Sequence, residues 1–348
     1  MLTTIFFLSS GLFLGWSLGA NDAANIFGTA VGTKMLRFRV AALVGSAFVI
    51  LGAVAAGTGA SETLGRLGSV NALPGAFTVA LAAAFTVLWM TRLRLPVSTT
   101  QAIVGAIIGW NLFAGMETDF GALSTIVSSW VAGPLLAMAF SALLYFLVRA
   151  LLRRVRIGII LQDAYTRAAL VLAGAFGAYS LGANNIANVM GVFAPVSPFS
   201  RTELLGISLS SPQQLFLLGG LAIAVGIFTY SYRVMQTIGN DLYKLSPVAA
   251  LIVVLSHSLV LFLFASEDLK IFFEMRNIPW FPLVPISSSQ AVVGGVLGIG
   301  IAKGGRNINL GLLARIAMGW VSTPLAAAVT SFVLLFVVQN LFLLEVFR

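Results

Sequence analysis

Gly19 to Asn25 read Gly-Ala-Asn-Asp-Ala-Ala-Asn, and Gly182 to Asn188 read Gly-Ala-Asn-Asn-Ile-Ala-Asn. Both motifs lie well inside long apolar segments. Gly permits backbone conformations that a helix does not use, and Asn and Asp compete with the helix for its backbone groups. The expectation is a helix that unwinds at each motif. Its freed carbonyls would suit cations, and the N–H groups of the restarting helix would suit an anion.

The pair of motifs is part of a longer repeat. Ser61 to Gly65 (SETLG) weakly matches Met235 to Gly239 (MQTIG). Pro96 to Gly109 (PVSTTQAIVGAIIG) matches Pro285 to Gly298 (PISSSQAVVGGVLG). Around Trp130 and Pro134, SWVAGPLLA matches GWVSTPLAA around Trp320 and Pro324. The order is the same in both halves, which points to duplication.

The solvent is set by composition. Of 348 residues, 59% are hydrophobic and 9% charged, against about 25% charged in a soluble domain. Mean hydropathy is +1.01. Apolar runs near the ~20 residues of a membrane-crossing helix spread over the whole length. The expected fold is all-α and polytopic, with ten crossings: 4–33, 40–58, 75–91, 96–113, 122–148, 167–193, 213–232, 247–265, 284–302 and 311–342. Counting the broken segments separately gives twelve. Met1 to Ser17 lacks a basic leader and reads as part of the first span.

The net charge of +9 fits basic cytoplasmic loops better than nucleic acid. Lys34, Arg37, Arg39, Arg92, Arg94, Arg149, Arg153, Arg154, Arg156, Arg167, Arg233, Lys244, Lys303 and Arg306 fall in alternate loops. Glu62, Glu117, Asp119, Glu203, Glu267, Asp268 and Glu274 fall in the others. Placing the basic set in the cytoplasm puts both termini outside, in the cell (inner) membrane. Re-entrant motif hairpins would put the Arg149 to Arg156 cluster outside, so broken crossings are preferred.

Five spans per half is an odd number, so the second copy is upside down relative to the first. The expected units are a first inverted repeat at 1–148, an amphipathic cytoplasmic linker at 149–166 and a second repeat at 167–348. Inverted repeats with interrupted helices mark secondary transporters with a midplane site.

The candidate site residues follow from chemistry. Asp22 is the one carboxylate expected within the bilayer, where an acid is costly and calls for a cation partner. The competing reading is a helix cap. Asn25, Asn185 and Asn188 serve either as ligands or as interhelical glue. Pro96 and Pro285 each precede hydroxyls, Ser98-Thr99-Thr100-Gln101 and Ser287-Ser288-Ser289-Gln290. Each run makes a helix N-terminus fringed by O–H donors, which suits a tetrahedral oxyanion. No Lys or Arg lies in these motifs, so a dehydrated dianion needs bound cations, and symport follows. The cation candidates are Asn21, Asp22, Asn25, Thr100, Gln101, Asn184, Asn185, Asn188, Ser289 and Gln290.

The remaining features read as structure. There is no Cys, so disulfides and thiolate metal sites are excluded. The single His257 lies in an apolar run and reads as a satisfied helix residue. No nucleophile–base set or metal-ligand set indicates an enzyme, and no cofactor is expected beyond a coupling ion.

At this point the two Gly-Ala-Asn motifs resemble the duplicated signature of the inorganic phosphate transporter (PiT) family. The Pro-x-Ser-x-x-Gln segments are similar to that family's second conserved element. The resemblance implies inward transport of inorganic phosphate coupled to Na⁺ or H⁺. Carried over, its site comprises Asp22, Asn25, Asn185 and Asn188 with Ser98 to Gln101 and Ser287 to Gln290. Asn185 departs from the Asp common at that position, which bears on the number of cations. The alternatives are transport of sulfate or another oxyanion on the same scaffold, and an anion channel. The partners implied are phosphate, Na⁺ or H⁺ and lipid; a homodimer is entertained without a residue that singles it out.

Overall fold

The computed structural model describes residues 2–92, 97–155, 158–204, 207–235, 245–305 and 310–348. Arg94, Pro96, Arg156, most of the Met235 to Gly239 match, Lys244 and Arg306 lie outside the described residues. The helices of the first half are α1 (Leu2–Gly32), α2 (Phe38–Ala56), α3 (Thr58–Leu67), α4 (Leu73–Arg92), α5 (Thr99–Ala114) and α6 (Phe120–Arg154). Those of the second half are α7 (Ile159–Met190), α8 (Ser211–Thr229), α9 (Pro247–Ala265), α10 (Glu267–Glu274), α11 (Ser288–Ala302) and α12 (Leu310–Asn340). Among the described residues the fold is all-α but for one hairpin between α7 and α8. Its strands β1 (Thr202–Leu204) and β2 (Ile207–Leu209) pair antiparallel, Thr202 opposite Leu209.

Ten of these twelve helices, all but α3 and α10, coincide with the ten expected segments, but not all ten are full crossings. Among the described residues, eight helices are long and apolar enough to cross a membrane. The other two, α5 and α11, have 16 and 15 residues. At 1.5 Å per residue each spans about 24 Å or less, short of a ~30 Å hydrocarbon core. Both begin at the hydroxyl motifs, with Ser98 and Ser287 as N-caps that accept from Gln101 N and Gln290 N at 3.3 Å. The helix starts are therefore set back inside the protein, at the Ser98 and Ser287 caps.

The expected unwinding at the two Gly-Ala-Asn motifs is not there. α1 and α7 run through residues 19–25 and 182–188 without a break. The small residues serve close packing instead. A Cβ on Gly19 would collide with the Ile223 carbonyl of α8, and one on Gly182 with the Val49 carbonyl of α2. With the backbone in contact across helices, a continuous helix buries its own polar groups, and the Asn side chains are free to serve others.

The interruption stands instead before α11, where residues 278–287 are non-helical. Val284, Ile286 and Ser287 are buried there. Non-helical backbone at such depth needs protein partners, and it has them. Leu283 O accepts from Thr63 Oγ1 at 2.6 Å, and Val284 N donates to Phe264 O at 3.2 Å. Asn184 then brackets the next residues: its Nδ2 donates to Val284 O at 3.1 Å, and its Oδ1 accepts from Ile286 N at 2.9 Å.

The halves interlock. α5 of the first half packs on α12 of the second, and α11 of the second on α6 of the first. A Cβ on Gly105 would meet the Pro324 carbonyl, and one on Gly294 the Pro134 carbonyl, the equivalent atom in the other copy. α2 packs on α7 and α1 on α8 in the same crossed fashion. Trp130 and Trp320 sit partly buried on the Pro-bearing helices α6 and α12. α6 and α12 lie at the periphery and expose apolar side chains such as Val131, Leu135, Val321 and Leu325, as a lipid-facing surface requires. α6 has 35 residues, about 52 Å. Its basic end therefore projects past the apolar layer. The stretch expected as a surface linker, 149–166, forms no separate helix: residues 149–154 end α6 and 159–166 begin α7.

Candidate functional site

The centre of the molecule collects polar side chains from four elements. α1 supplies Asp22 and Asn25, α7 supplies Asn184, Asn185 and Asn188, and the first turns of α5 and α11 supply the hydroxyls and Gln residues. Asp22, Asn25, Ser98, Thr99, Thr100, Gln101, Asn184, Asn185, Asn188, Ser287, Ser288 and Gln290 are all buried, while Asn21 and Ser289 are partly exposed.

Two reciprocal bonds tie the helix starts together. Thr100 Oγ1 donates to Ile286 O at 3.2 Å, and Ser289 Oγ donates to Val97 O at 3.2 Å. Thr100 and Ser289 hold the same position in the two copies, as do Ile286 and Val97. The N-termini of α5 and α11 therefore meet, and each contributes N–H groups without intrahelical partners and the positive end of its dipole. Ser287 Oγ and Ser289 Oγ lie 3.1 Å apart on the α11 side.

The Asn motifs reach across the halves to these hydroxyls. Asn25 Nδ2 on α1 donates to Ser288 Oγ on α11 at 3.0 Å. Asn188 Nδ2 on α7 donates to Thr100 Oγ1 on α5 at 2.9 Å and to Asn185 Oδ1 at 3.0 Å. Asn185 and Asn188 share a face because three residues separate them on a helix; Asp22 and Asn25 have the same spacing.

Several polar atoms have no partner. Gln101 Oε1, Gln290 Oε1, Asn188 Oδ1 and Asn185 Nδ2 are buried without a hydrogen bond among the described residues. Buried polar atoms are nearly always paired, so such a cluster is unusual. Asp22 is 7% exposed and makes no hydrogen bond or ion pair with a described residue. Arg167 pairs with Asp163, Lys270 with Glu274 and Arg348 with Glu345, all exposed. No Lys or Arg is buried among the described residues. The arrangement offers the amide oxygens of Gln101, Gln290, Asn188 and Asn25 and a carboxylate for a cation, and helix N–H groups, hydroxyls and an amide N–H for an anion.

Two of the expected ligands have other work. Asn184 commits both amide atoms to residues 284–286. Asn21 is partly exposed, and its Nδ2 donates to Ser17 O one turn back at 3.0 Å.

One residue that sequence reading set aside belongs to the site. His257, on α9, is fully buried, and its Nε2 lies 2.9 Å from Ser288 Oγ. Its Nδ1 has no partner among the described residues. It is therefore half satisfied, not the fully satisfied helix residue expected. Nothing local betrays it: the contact spans 31 residues of sequence and needs the position of α9 against α11.

Known proteins resemble this chain along most of its length. A model described as the phosphate transporter family matches residues 18–165, 159–331 and 272–347. A protein of Pyrococcus abyssi named as a phosphate permease is 27% identical, over 93% of this chain and 95% of its own. A protein of Thermococcus kodakarensis with the same designation is 28% identical, over 92% and 94%. Among solved structures, one titled as the sodium-dependent phosphate transporter superposes with a TM-score of 0.79 at 25% identity, covering 97% of this chain and 99% of that one.

Proposed function

This chain belongs to the phosphate transporter family, and from that premise we propose that it imports inorganic phosphate by symport with Na⁺ through the buried polar centre. It is an integral membrane transport protein and not an enzyme. The observation that carries the reading is the meeting of the α5 and α11 N-termini beside unpartnered amide oxygens and an unpaired Asp22.

In this reading phosphate lies against the two helix starts. The ligands are the first-turn N–H groups, the hydroxyls of Ser98, Thr99, Ser287 and Ser288, and the amide of Asn185, while Thr100 and Ser289 hold the two helix starts together. Na⁺ takes the oxygens: the Asp22 carboxylate and the amide oxygens of Gln101, Gln290, Asn188 and Asn25, as a hard cation prefers. No fixed basic side chain neutralises the anion, so the coupled cation does. Each charge lowers the cost of burying the other.

Transport then follows from the crossed architecture. Residues 1–148 and 167–348 act as two inverted repeats around this centre, with the basic junction near 149–166 on the cytoplasmic side and both termini outside the cytoplasm. The two bonds between α5 and α11 are the contacts that alternate access would remake on each side. Asp22 sits in one copy and Asn185 in the other, which concentrates cation coupling on the first.

The test is uptake of radiolabelled phosphate by the purified protein in proteoliposomes. An inward Na⁺ gradient drives phosphate above its external concentration, and excess sulfate does not compete. Downhill flux indifferent to Na⁺ overturns the symport, and phosphate-insensitive sulfate uptake overturns the substrate.

A further inference from the structure

His257 is the chain's one histidine, fully buried on α9 with Nε2 2.9 Å from Ser288 Oγ. Ser288 is the first residue of α11, at the helix end where N–H groups stand free. Its hydroxyl carries one proton and two lone pairs. Asn25 Nδ2 occupies one lone pair from 3.0 Å, and an amide N–H can only donate.

The direction of the remaining proton depends on the imidazole. With the ring proton on Nδ1, Nε2 accepts and the Ser288 proton is spent on His257. That arrangement buries Nδ1–H without an acceptor, since Nδ1 has no partner among the described residues, and leaves Ser288 no donor for an anion. With the ring proton on Nε2, His257 donates to Ser288. The hydroxyl then accepts twice, from Asn25 and His257, and its own proton is left to point away from both. A hydroxyl with both lone pairs filled is a pure donor, which is what an oxyanion needs.

We propose that His257, as the neutral Nε2–H tautomer, is a positioning residue that fills the second lone pair of Ser288 and so fixes its O–H as a phosphate donor. The inference rests on the reading of the α11 start as a phosphate site. It has no counterpart on the α5 side among the described residues: Thr99, which holds the position of Ser288, makes no side-chain hydrogen bond with a described residue. Thr100 and Ser289, equivalent to each other, both donate to backbone instead, to Ile286 O and Val97 O.

The test uses amide isosteres in the full chain. A glutamine at this position places its N–H₂ near where Nε2 stands, and an asparagine places its own near Nδ1. Phosphate uptake into proteoliposomes is measured at saturating Na⁺ for wild type, His257→Gln, His257→Asn, His257→Leu, Ser288→Ala and His257→Leu with Ser288→Ala. His257→Asn and His257→Leu raise the phosphate KM roughly five- to tenfold, the effect of one hydrogen bond of about 1 kcal/mol, with Vmax little changed. His257→Gln stays within about twofold of wild type. In the Ser288→Ala background, His257→Leu adds less than about twofold.

The proposal is overturned if glutamine is no better than asparagine, if the loss appears in Vmax with KM unchanged, or if the leucine effect persists in full without Ser288. The glutamine–asparagine comparison stands by itself if the leucine variant does not fold. A wild-type chain that carries no phosphate overturns the symport reading and this assignment with it. Wild-type uptake with equal glutamine and asparagine variants overturns this assignment alone.

Discussion

Thr100 Oγ1 donates to Ile286 O at 3.2 Å and accepts from Asn188 Nδ2 at 2.9 Å, so one hydroxyl joins the starts of α5 and α11 to the Asn motif of α7. Replacing it breaks two buried bonds at once. Thr100→Val, close in shape, leaves Ile286 O without its side-chain donor and Asn188 Nδ2 with Asn185 Oδ1 alone. The expected cost is about 2–4 kcal/mol, read as a lower thermal midpoint in detergent. Thr100→Ser restores most of it.

Asn184 substitutes for a strand partner. Asn184→Ala removes both bonds to residues 284–286 and strands Val284 O and Ile286 N in the interior. The expected loss is about 2–4 kcal/mol, with impaired uptake as the α11 start shifts. Unchanged thermal stability would contradict the bracket.

Much of the fold is legible in the sequence because it rests on period and solvent. The apolar runs give ten of the twelve described helices, missing the short α3 and α10 and starting α7 eight residues late, and Pro followed by Ser gives the starts of α5 and α11. What misleads is the polar motif within a helix. Asn184 and Asn188 look like breakers when only their own segment is considered. Their real partners, Ile286 and Thr100, lie about a hundred residues away in either direction. The side chains repair a break elsewhere, and local propensity carries no record of that. His257 is illegible for the same reason. The candidate ligands Ser98 to Gln101 and Ser287 to Gln290 are legible because duplication singles them out before any contact is known.

The crossed helix packing has its own test. Gly294→Ala drives a methyl into the Pro134 carbonyl. Over-packing of this kind costs about 1–3 kcal/mol. Gly65→Ala, on α3 with open space around it, is neutral or slightly stabilising. Equal thermal midpoints for the two variants would contradict the close approach of α11 to α6.

Asp22 separates function from stability. A buried carboxylate without a partner costs the fold free energy, so Asp22→Asn leaves thermal stability unchanged or raised. Its Na⁺-dependent phosphate uptake falls at least about tenfold, the equivalent of about 1.4 kcal/mol. A variant that unfolds easily but still couples phosphate to Na⁺ would make Asp22 a structural cap.

The central claim is that anion and cation share one buried centre without a fixed positive charge. Equilibrium binding of radiolabelled phosphate to the purified protein, with Na⁺ and with an impermeant organic cation in its place, tests it most directly. The account predicts that Na⁺ tightens phosphate binding by at least about tenfold, that phosphate tightens Na⁺ binding by the same factor, and that Asp22→Asn abolishes both effects. Equal phosphate affinity with and without Na⁺ would contradict it.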